Sequence, residues 1–364
     1  MALYTLFYTD DIGNKITPVN DCQGFEYTKV LGDVGYGQFD IPSNGQIYTA
    51  TKPDRRIAVY RANTAGTLSL DFECFLRKFD YMNQDGRTMT SIQGHDWNGL
   101  LDRRVVAYYA GSSESLKTDY ADDMMKEIFT ENFLTDADYT GTTPPRSLAS
   151  YLSVQRDLSQ GDSITKGFSW KNCLTVFQDI QATTKALGTE VFFGLVGGEF
   201  RTWIGARDRT VTTGVNPIVF SEERGNLINA RLTYDWFDSK NLVIGGGQGH
   251  EESRTMSKSS TPGQIALSRF ARAEKFIQSN SNNPFEIAHD VQNELKRRRE
   301  KVTLSGTLLD TPLTPYGGLN GWQINDKVTV NYQGRQFDVI IRSVNVKVDN
   351  RGNETIKSRI EDAS

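Results

Sequence analysis

The chain has little of what metal-built or disulfide-built proteins rely on. Among 364 residues there are three Cys and three His. Cys22, Cys74 and Cys173 lie too far apart for a CxxC ligand pair, and an odd count in so long a chain describes no disulfide framework. They read as small buried apolar residues. His95, His250 and His289 form no HExxH element and no two-His pair at a helical spacing. Proline is sparse, with ten residues against 32 Gly, so turns are plentiful but no collagen-like period exists. No apolar run approaches the roughly 18 residues that span a bilayer. The N-terminus lacks a basic stretch followed by an apolar one, so it reads as a first strand and not as a signal peptide. These absences lead to the expectation of a soluble chain made in a cytoplasm, without stable membrane insertion. The formal net charge of −4 gives no basic signature, which disfavours nucleic-acid wrapping.

What is present is aromatic and β-rich. Nineteen Phe, fifteen Tyr and five Trp can support real cores, and the length suits two or three globular units. Residues 25–30 and 57–61 carry the β-branched and aromatic residues of pleated surfaces. Between them Gly32, Gly35 and Gly37 mark a close-packed connection. Residues 68–80 and 87–94 predict a hairpin around Asn83-Gln84-Asp85-Gly86. Met124, Ile128 and their neighbours recur at helical spacing from Tyr120, predicting an amphipathic helix of about four turns. Its acids Asp122 and Asp123 read as a solvated face. A loop is expected over 135–147. A second helix is predicted over 170–187, with Ser169 as N-cap and Gly188 as C-terminal glycine. A hairpin over 190–204 follows. Strands are expected over 227–234, 241–244 and 268–277. The clearest helix starts at Asn283-Pro284-Phe285-Glu286, with Asn283 as cap, Glu286 completing a capping box and Lys296 to Arg299 at its end. Strands over 326–332, 337–348 and 354–361 close the chain, separated by turns at Gln333-Gly334 and 349–353. The segments therefore read as β, then α+β, then β with one helix.

Templates for chemistry fail one by one. His250 beside Glu251 and Glu252 is the best candidate for a metal or hydrolytic site, but a lone His with two carboxylates is a thin ligand set. Gly245-Gly246-Gly247-Gln248-Gly249 fits neither GxGxxG nor a P-loop and reads as close backbone packing. No GxSxG element occurs. Asp119, Asp122 and Asp123, like Glu222-Glu223, are sequence neighbours and not carboxylates set across a cleft. Lys296 to Arg299 could meet phosphate, but a solvated helix end explains it better. No catalytic, metal-binding or cofactor-binding residue is assigned, no cofactor is expected, and the weight shifts from catalysis to assembly.

The order of elements carries a resemblance. Leu31-Gly32-Asp33-Val34-Gly35-Tyr36-Gly37-Gln38-Phe39 and Gly94-His95-Asp96-Trp97-Asn98-Gly99-Leu100-Leu101-Asp102-Arg103-Arg104 are its main bearers. Trp170-Lys171-Asn172-Cys173-Leu174 with its helix adds to it. So do Asn226-Leu227 through Gly245-Gly246-Gly247, and Ile324-Asn325-Asp326-Lys327-Val328-Thr329-Val330 with Ile341 to Val346. Together they resemble the tail-hub (baseplate hub) proteins of tailed phages, siphophage tail-tip type. Asn325 stands where that pattern more usually has a glycine.

The resemblance implies an α+β, predominantly β fold: two tail-tube-like β-barrel domains with an α+β insertion between them. Residues 1–110 would form the first barrel domain and 111–222 the insertion. Residues 223–364 would form the second barrel, with one helix at about 284–300. It further implies a non-enzymatic homotrimer with pseudo-six-fold symmetry at the distal end of the virion tail. Its partners would be the tail tube or distal tail protein, the tape-measure protein C-terminus, and fibre, spike or receptor-binding proteins. DNA would only pass through the lumen during genome ejection. The alternatives are a spike-type hub of a contractile injection or secretion system, a cell-wall or polysaccharide hydrolase, and a carbohydrate-binding receptor protein.

Overall fold

The computed structural model describes residues 4–10, 12–20, 22–43, 52–62, 66–84, 87–108, 111–135, 146–247, 254–279, 283–318 and 320–362. The fold is mostly β, with 48% strand and 16% helix. It opens with β1 (Tyr4–Thr9), β2 (Lys15–Pro18), β3 (Gly24–Val30), β4 (Tyr36–Pro42), β5 (Arg56–Ala62), β6 (Leu68–Gln84) and β7 (Arg87–His95). A 3-10 run over Trp97–Arg103 leads to β8 (Ser115–Tyr120) and α1 (Ala121–Phe129), which continues as a π turn over Thr130–Leu134. Then come β9 (Ser153–Val154), β10 (Ser163–Phe168), α2 (Cys173–Leu187), β11 (Val191–Val196), β12 (Glu199–Ile204), β13 (Arg207–Arg209), β14 (Val219–Ser221) and β15 (Leu227–Asp235). The rest is β16 (Leu242–Gly246), β17 (Met256–Ser260), the short α3 (Pro262–Ile265), β18 (Glu274–Gln278), α4 (Pro284–Arg297), β19 (Lys301–Leu308), β20 (Asp326–Tyr332), β21 (Arg335–Val348) and β22 (Glu354–Asp362).

By compactness the chain forms two units. The larger holds Met1–Thr184, Thr189–Ala230 and Ser305–Ser364, and the smaller holds Lys185–Gly188 and Arg231–Leu304. In the larger unit one sheet joins the two ends of the chain. Its path runs β13-β20-β21-β3-β4-β7-β6-β5-β1-β2, with β14 on β20 and β22 on β21. The long strand β21 makes this possible. Lys327↔Ile340 to Tyr332↔Arg335 pair it with β20, while Ser343↔Val30 to Val348↔Phe25 pair it with β3. The β20–β21 turn is made by Gln333 (φ 51) and Gly334 (φ 71), two successive left-handed residues that match strand twist. Inside the sheet, Tyr27 stacks on Phe72 at 4.8 Å between centroids and Phe25 on Phe39 at 6.1 Å. All four rings are buried.

The segment between β7 and β13 has a core of its own, within the same unit. Phe200 sits at its centre, 4.6 Å from Phe129, 4.9 Å from Phe177 and 6.4 Å from Phe193. Such ring pairs contribute about 1 kcal/mol each beyond their burial. The predicted helix at 120–134 is found, but its acidic face is not solvated. Asp122 and Asp123 are buried, together with Lys126. Lys126 Nζ lies 2.8 Å from Asp122 and also donates to Arg156 O at 2.9 Å. The two carboxylates accept the backbone N–H groups of Leu158, Ser159 and Gln160 at 3.1, 3.2 and 2.6 Å. These acids therefore staple an irregular segment onto the first turn of α1, where the helix dipole also favours them. Charge alone had suggested exposure; the neighbouring backbone's unpaired donors decide otherwise.

The helix predicted from 170 starts at Cys173, because Trp170 sits at φ 55 and cannot be helical. Asn172, not Ser169, caps it, accepting from Thr175 N at 3.2 Å. Gly188, at φ 108, ends it as expected. The hairpin β11–β12 turns through Gly197 (φ 57) and Gly198 (φ 89).

In the smaller unit, β17-β16-β18 form a three-stranded sheet. Helix α4 covers it through Ile287 and Val291, which pack with Val243, Ile277 and Leu295. Asn283 caps α4, accepting from Phe285 N at 3.0 Å; the side chains of Glu286 and His289 lie outside the described residues. The strand expected over 268–277 is confined to Glu274–Gln278, the preceding residues forming turns. Gly245 needs to be glycine: a Cβ there would lie 2.3 Å from Val291 Cγ2. Close packing, not phosphate binding, accounts for that residue.

Candidate functional site

The two segments that carried the resemblance meet. Asp96 N donates to Gly35 O at 3.0 Å, and Asn98 Nδ2 donates to Asp33 O at 2.8 Å. Asn98 Oδ1 accepts from Leu195 N at 2.8 Å, which links the junction to β11. The glycines are set by space. A Cβ on Gly35 would lie 2.5 Å from Asp96 Oδ2 and 2.7 Å from Thr28 O; one on Gly94 would lie 2.3 Å from Phe75 O. The junction is thus a three-way weld of the β3–β4 turn, the end of β7 and the 3-10 run, with no room for a side chain.

Asp96 caps the 3-10 run, accepting from Asn98 N at 3.1 Å. Burial raises its carboxyl from 3.8 to about 7, against the pull of backbone N–H bonds and with a further push from Asp33. A carboxyl that holds its proton more tightly when folded stabilises the fold at low pH. That contribution is lost as pH rises from about 4 to about 7. Asp96→Asn keeps the cap and cannot ionise. It is therefore expected to exceed the wild type by about 1–2 kcal/mol at pH 8, and by much less at pH 4.5. Paired urea melts at the two pH values check this; a difference independent of pH would contradict it.

A second cluster seals the sheet. Arg61 on β5 donates through Nε to Tyr4 Oη at 3.1 Å and to Glu354 Oε1 at 3.0 Å. Its Nη1 donates to Tyr316 O at 2.8 Å, and its Nη2 reaches Asp310 Oδ2 at 3.2 Å. Tyr4 also donates to Glu354. Beside it, Asp71 accepts from Tyr27 and pairs with Lys29 at 2.7 Å, while the Tyr316 ring lies under both Lys29 and Arg61 at 5.1 Å. Burial would lower the Arg61 pKa, but its bonds to Glu354 and Tyr4 raise it overall. Burial would raise Asp71, but the Lys29 charge holds it below the usual range. Strands β1 and β5 are thereby brought back against β22, at the other end of the path β22-β21-β3-β4-β7-β6-β5-β1, so side chains bridge strands that share no ladder. Pairs as distant as 350 residues take part, and no local motif announces them.

The residues weighed for chemistry scatter. His95 is half-buried at the end of β7, its pKa lowered by burial and then by Arg103. His250, Glu251 and Glu252 lie outside the described residues, as do Asp85, Gly86 and the Pro144-Pro145 part of the expected loop. Glu222 and Glu223 are exposed. Arg297 and Arg298 are engaged by Glu294, at 2.6 and 3.1 Å. Among the described residues no group of His, Cys, Asp or Glu could hold a metal ion, and no helix is long and apolar enough to cross a membrane. Cys74 and Cys173 are buried and Cys22 is half-buried, all unbridged.

Asn325 departs from glycine at a position that asks for one. Its φ is 67, and its buried Oδ1 has no hydrogen-bond partner. Asn tolerates the left-handed region at some cost, so Asn325→Gly is expected to add about 0.5–1 kcal/mol of stability. A drop in melting temperature would contradict that.

A sheet joining both chain ends, with a helical and β segment inserted and welded to it by glycines, defines the fold class of phage tail and baseplate-type proteins. The chain belongs to the family of Siphovirus ReqiPepy6 Gp37-like proteins, whose model matches residues 11–360. Among solved structures it is similar to the 43 kDa tail protein of prophage MuSo2 from Shewanella oneidensis. That likeness has a TM-score of 0.60 at 11% identity, covering 98% of each chain. It is also similar to a tail protein from Neisseria meningitidis MC58, with TM-score 0.58, 13% identity and 99% and 97% coverage. The Francisella PdpA-VgrG complex gives TM-score 0.53 at 11% identity over 99% of this chain and 52% of that one. No curated protein matches the sequence. At such identities the likeness is one of fold.

Proposed function

We propose that this chain is a structural hub of a phage tail tip. Three copies form a ring whose two β-rich parts per chain, 1–110 and 223–364, imitate six-fold symmetry around the insertion 111–222. The ring joins the tail tube or distal tail protein to fibre, spike or receptor-binding proteins at the distal end of the virion tail. It receives the C-terminus of the tape-measure protein and lets DNA pass during ejection. Synthesis is in the host cytoplasm, and the role is mechanical, without catalysis or cofactor. The observation that carries this reading is the end-to-end fold likeness to the MuSo2 tail protein, with 98% of each chain covered.

Closed rings satisfy heterologous contacts, which is why a three-fold assembly suits the role. Light scattering on the purified chain is expected to give a trimer that binds assembled tail tubes. A chain that stays monomeric at high concentration and ignores tubes would overturn the proposal. A second reading, the spike-type hub of a contractile injection or secretion machine, draws on the likeness to the PdpA-VgrG complex; preference for a contractile tube over a siphophage tube would favour it. Cell-wall zymography tests the hydrolase alternative, which a cleared band abolished by His250→Ala would support.

A further inference from the structure

The smaller unit presents an apolar tip on a stiff base. Asn241 builds the base: its Nδ2 donates to Ala271 O at 2.6 Å, its Oδ1 accepts from Ala273 N at 2.8 Å, and its backbone O accepts from Thr261 N at 2.9 Å. These bonds hold segment 261–273 at the end of the three-stranded sheet where β16 begins. The turn just before it is fixed too, by Ser239 N to Trp236 O at 3.1 Å, Phe237 N to Asp235 at 2.9 Å and Trp236 Nε1 to Glu300 at 2.5 Å. From these two pinned segments project Phe237, 98% exposed, Phe270, 94% exposed, and Leu267, 78% exposed. Isolated exposed apolar residues are ordinary; three nearly naked ones on hydrogen-bonded turns at one end of a sheet mark a contact surface. Their backbones are already ordered, so docking would cost little conformational entropy.

Charge indicates what they meet. Residues 231–304 hold twelve Lys and Arg against nine Asp and Glu, while the whole chain holds 41 against 45. All of the net negative charge therefore lies outside this unit. Around the anchors themselves, Arg269 adjoins Phe270, Arg272 is paired with Glu274 at 2.5 Å, and Asp235 and Asp238 lie to either side of Phe237. The smaller unit, net positive over 231–304, and the acidic larger unit of the same polypeptide are complementary between copies.

We infer that Phe237, Leu267 and Phe270 are the grip by which one copy of this chain holds the acidic larger unit of a second copy. The inference rests on the trimeric hub reading. A contact between two different surfaces is heterologous, the kind that closes rings. The test is sedimentation velocity of the wild type and of the triple variant Phe237→Ser, Leu267→Ser, Phe270→Ser. Exposed sites tolerate these changes, so circular dichroism and melting should stay the same. The dissociation constant should rise by about 100-fold or more, as anchors of this kind are worth about tenfold each at least. Arg269→Glu should weaken the trimer at low salt, and less so at high salt. A trimer that survives the triple substitution overturns the inference and leaves the hub reading standing; a monomeric wild type sinks both. The triple variant is also run against phosphatidylglycerol vesicles. Vesicle binding lost in the variant while the trimer persists would assign the tip to a lipid surface instead.

Discussion

Arg61→Met is expected to lower the unfolding free energy by about 2 kcal/mol at pH 7.5, the cost of removing charge-assisted hydrogen bonds to the half-buried Glu354 and the more exposed Asp310. The side chain is only 11% exposed and faces Glu354 and Asp310, at 15% and 29%. Met fills much of the volume, so the loss reports charge and hydrogen bonding more than a cavity. Burial already raises Asp310 despite Arg61. Without the guanidinium, which lowers it, Asp310 would take up its proton in the folded state at higher pH than in the unfolded chain. The penalty is therefore fully present above that folded pKa and shrinks as pH falls through it. Adding Glu354→Gln to Arg61→Met should recover part of the loss by removing one orphaned charge. Urea melts at pH 7.5 and pH 5 give the answer. A loss under about 1 kcal/mol at both values, the range of exposed ion pairs, would show that the cluster does not seal the sheet.

Gly94→Ala is expected to cost about 4 kcal/mol or more, which puts it in the rare tail of point substitutions. The new methyl would sit 2.3 Å from Phe75 O and 3.1 Å from Cys74 Sγ. The oxygen belongs to the neighbouring strand, where Leu76↔Gly94 pair beside a bulge between Leu76 and Lys78. Backbone cannot rotate away as a side chain can, so the β6–β7 ladder would have to part. Gly263→Ala is the control: no atom lies within 4 Å of its added methyl, and its φ is not positive. That variant should match the wild type within about 0.5 kcal/mol. Equal melting temperatures for the two variants would refute the steric account of the junction.

The residues that were legible in the sequence are those whose physics is local. Gly197-Gly198 and Gln333-Gly334 announce turns because two-residue hairpins need successive positive φ angles. Asn283-Pro284 announces a helix start because cap chemistry involves three neighbouring residues. Gly35 marked a close-packed connection and Gly94 stood only as the end of a strand, but the atoms that crowd them belong to other segments. Asp122 and Asp123 were misread because their partners, the N–H groups of residues 158–160, lie more than thirty positions away. Trp170 showed no sign of its left-handed backbone, which together with the Asn172 cap moved the start of α2. The Arg61 cluster was beyond reach for the same reason: its members come from β1, β5, β22 and the loop before β20. Their meeting follows from how β21 divides its edge between β20 and β3.

Single-particle electron microscopy of the purified chain reads the proposed assembly itself. Three-fold ring particles with a central channel bordered by six similar β-rich densities are expected. Isolated single-chain particles at all concentrations, or closed assemblies without three-fold symmetry, would contradict it.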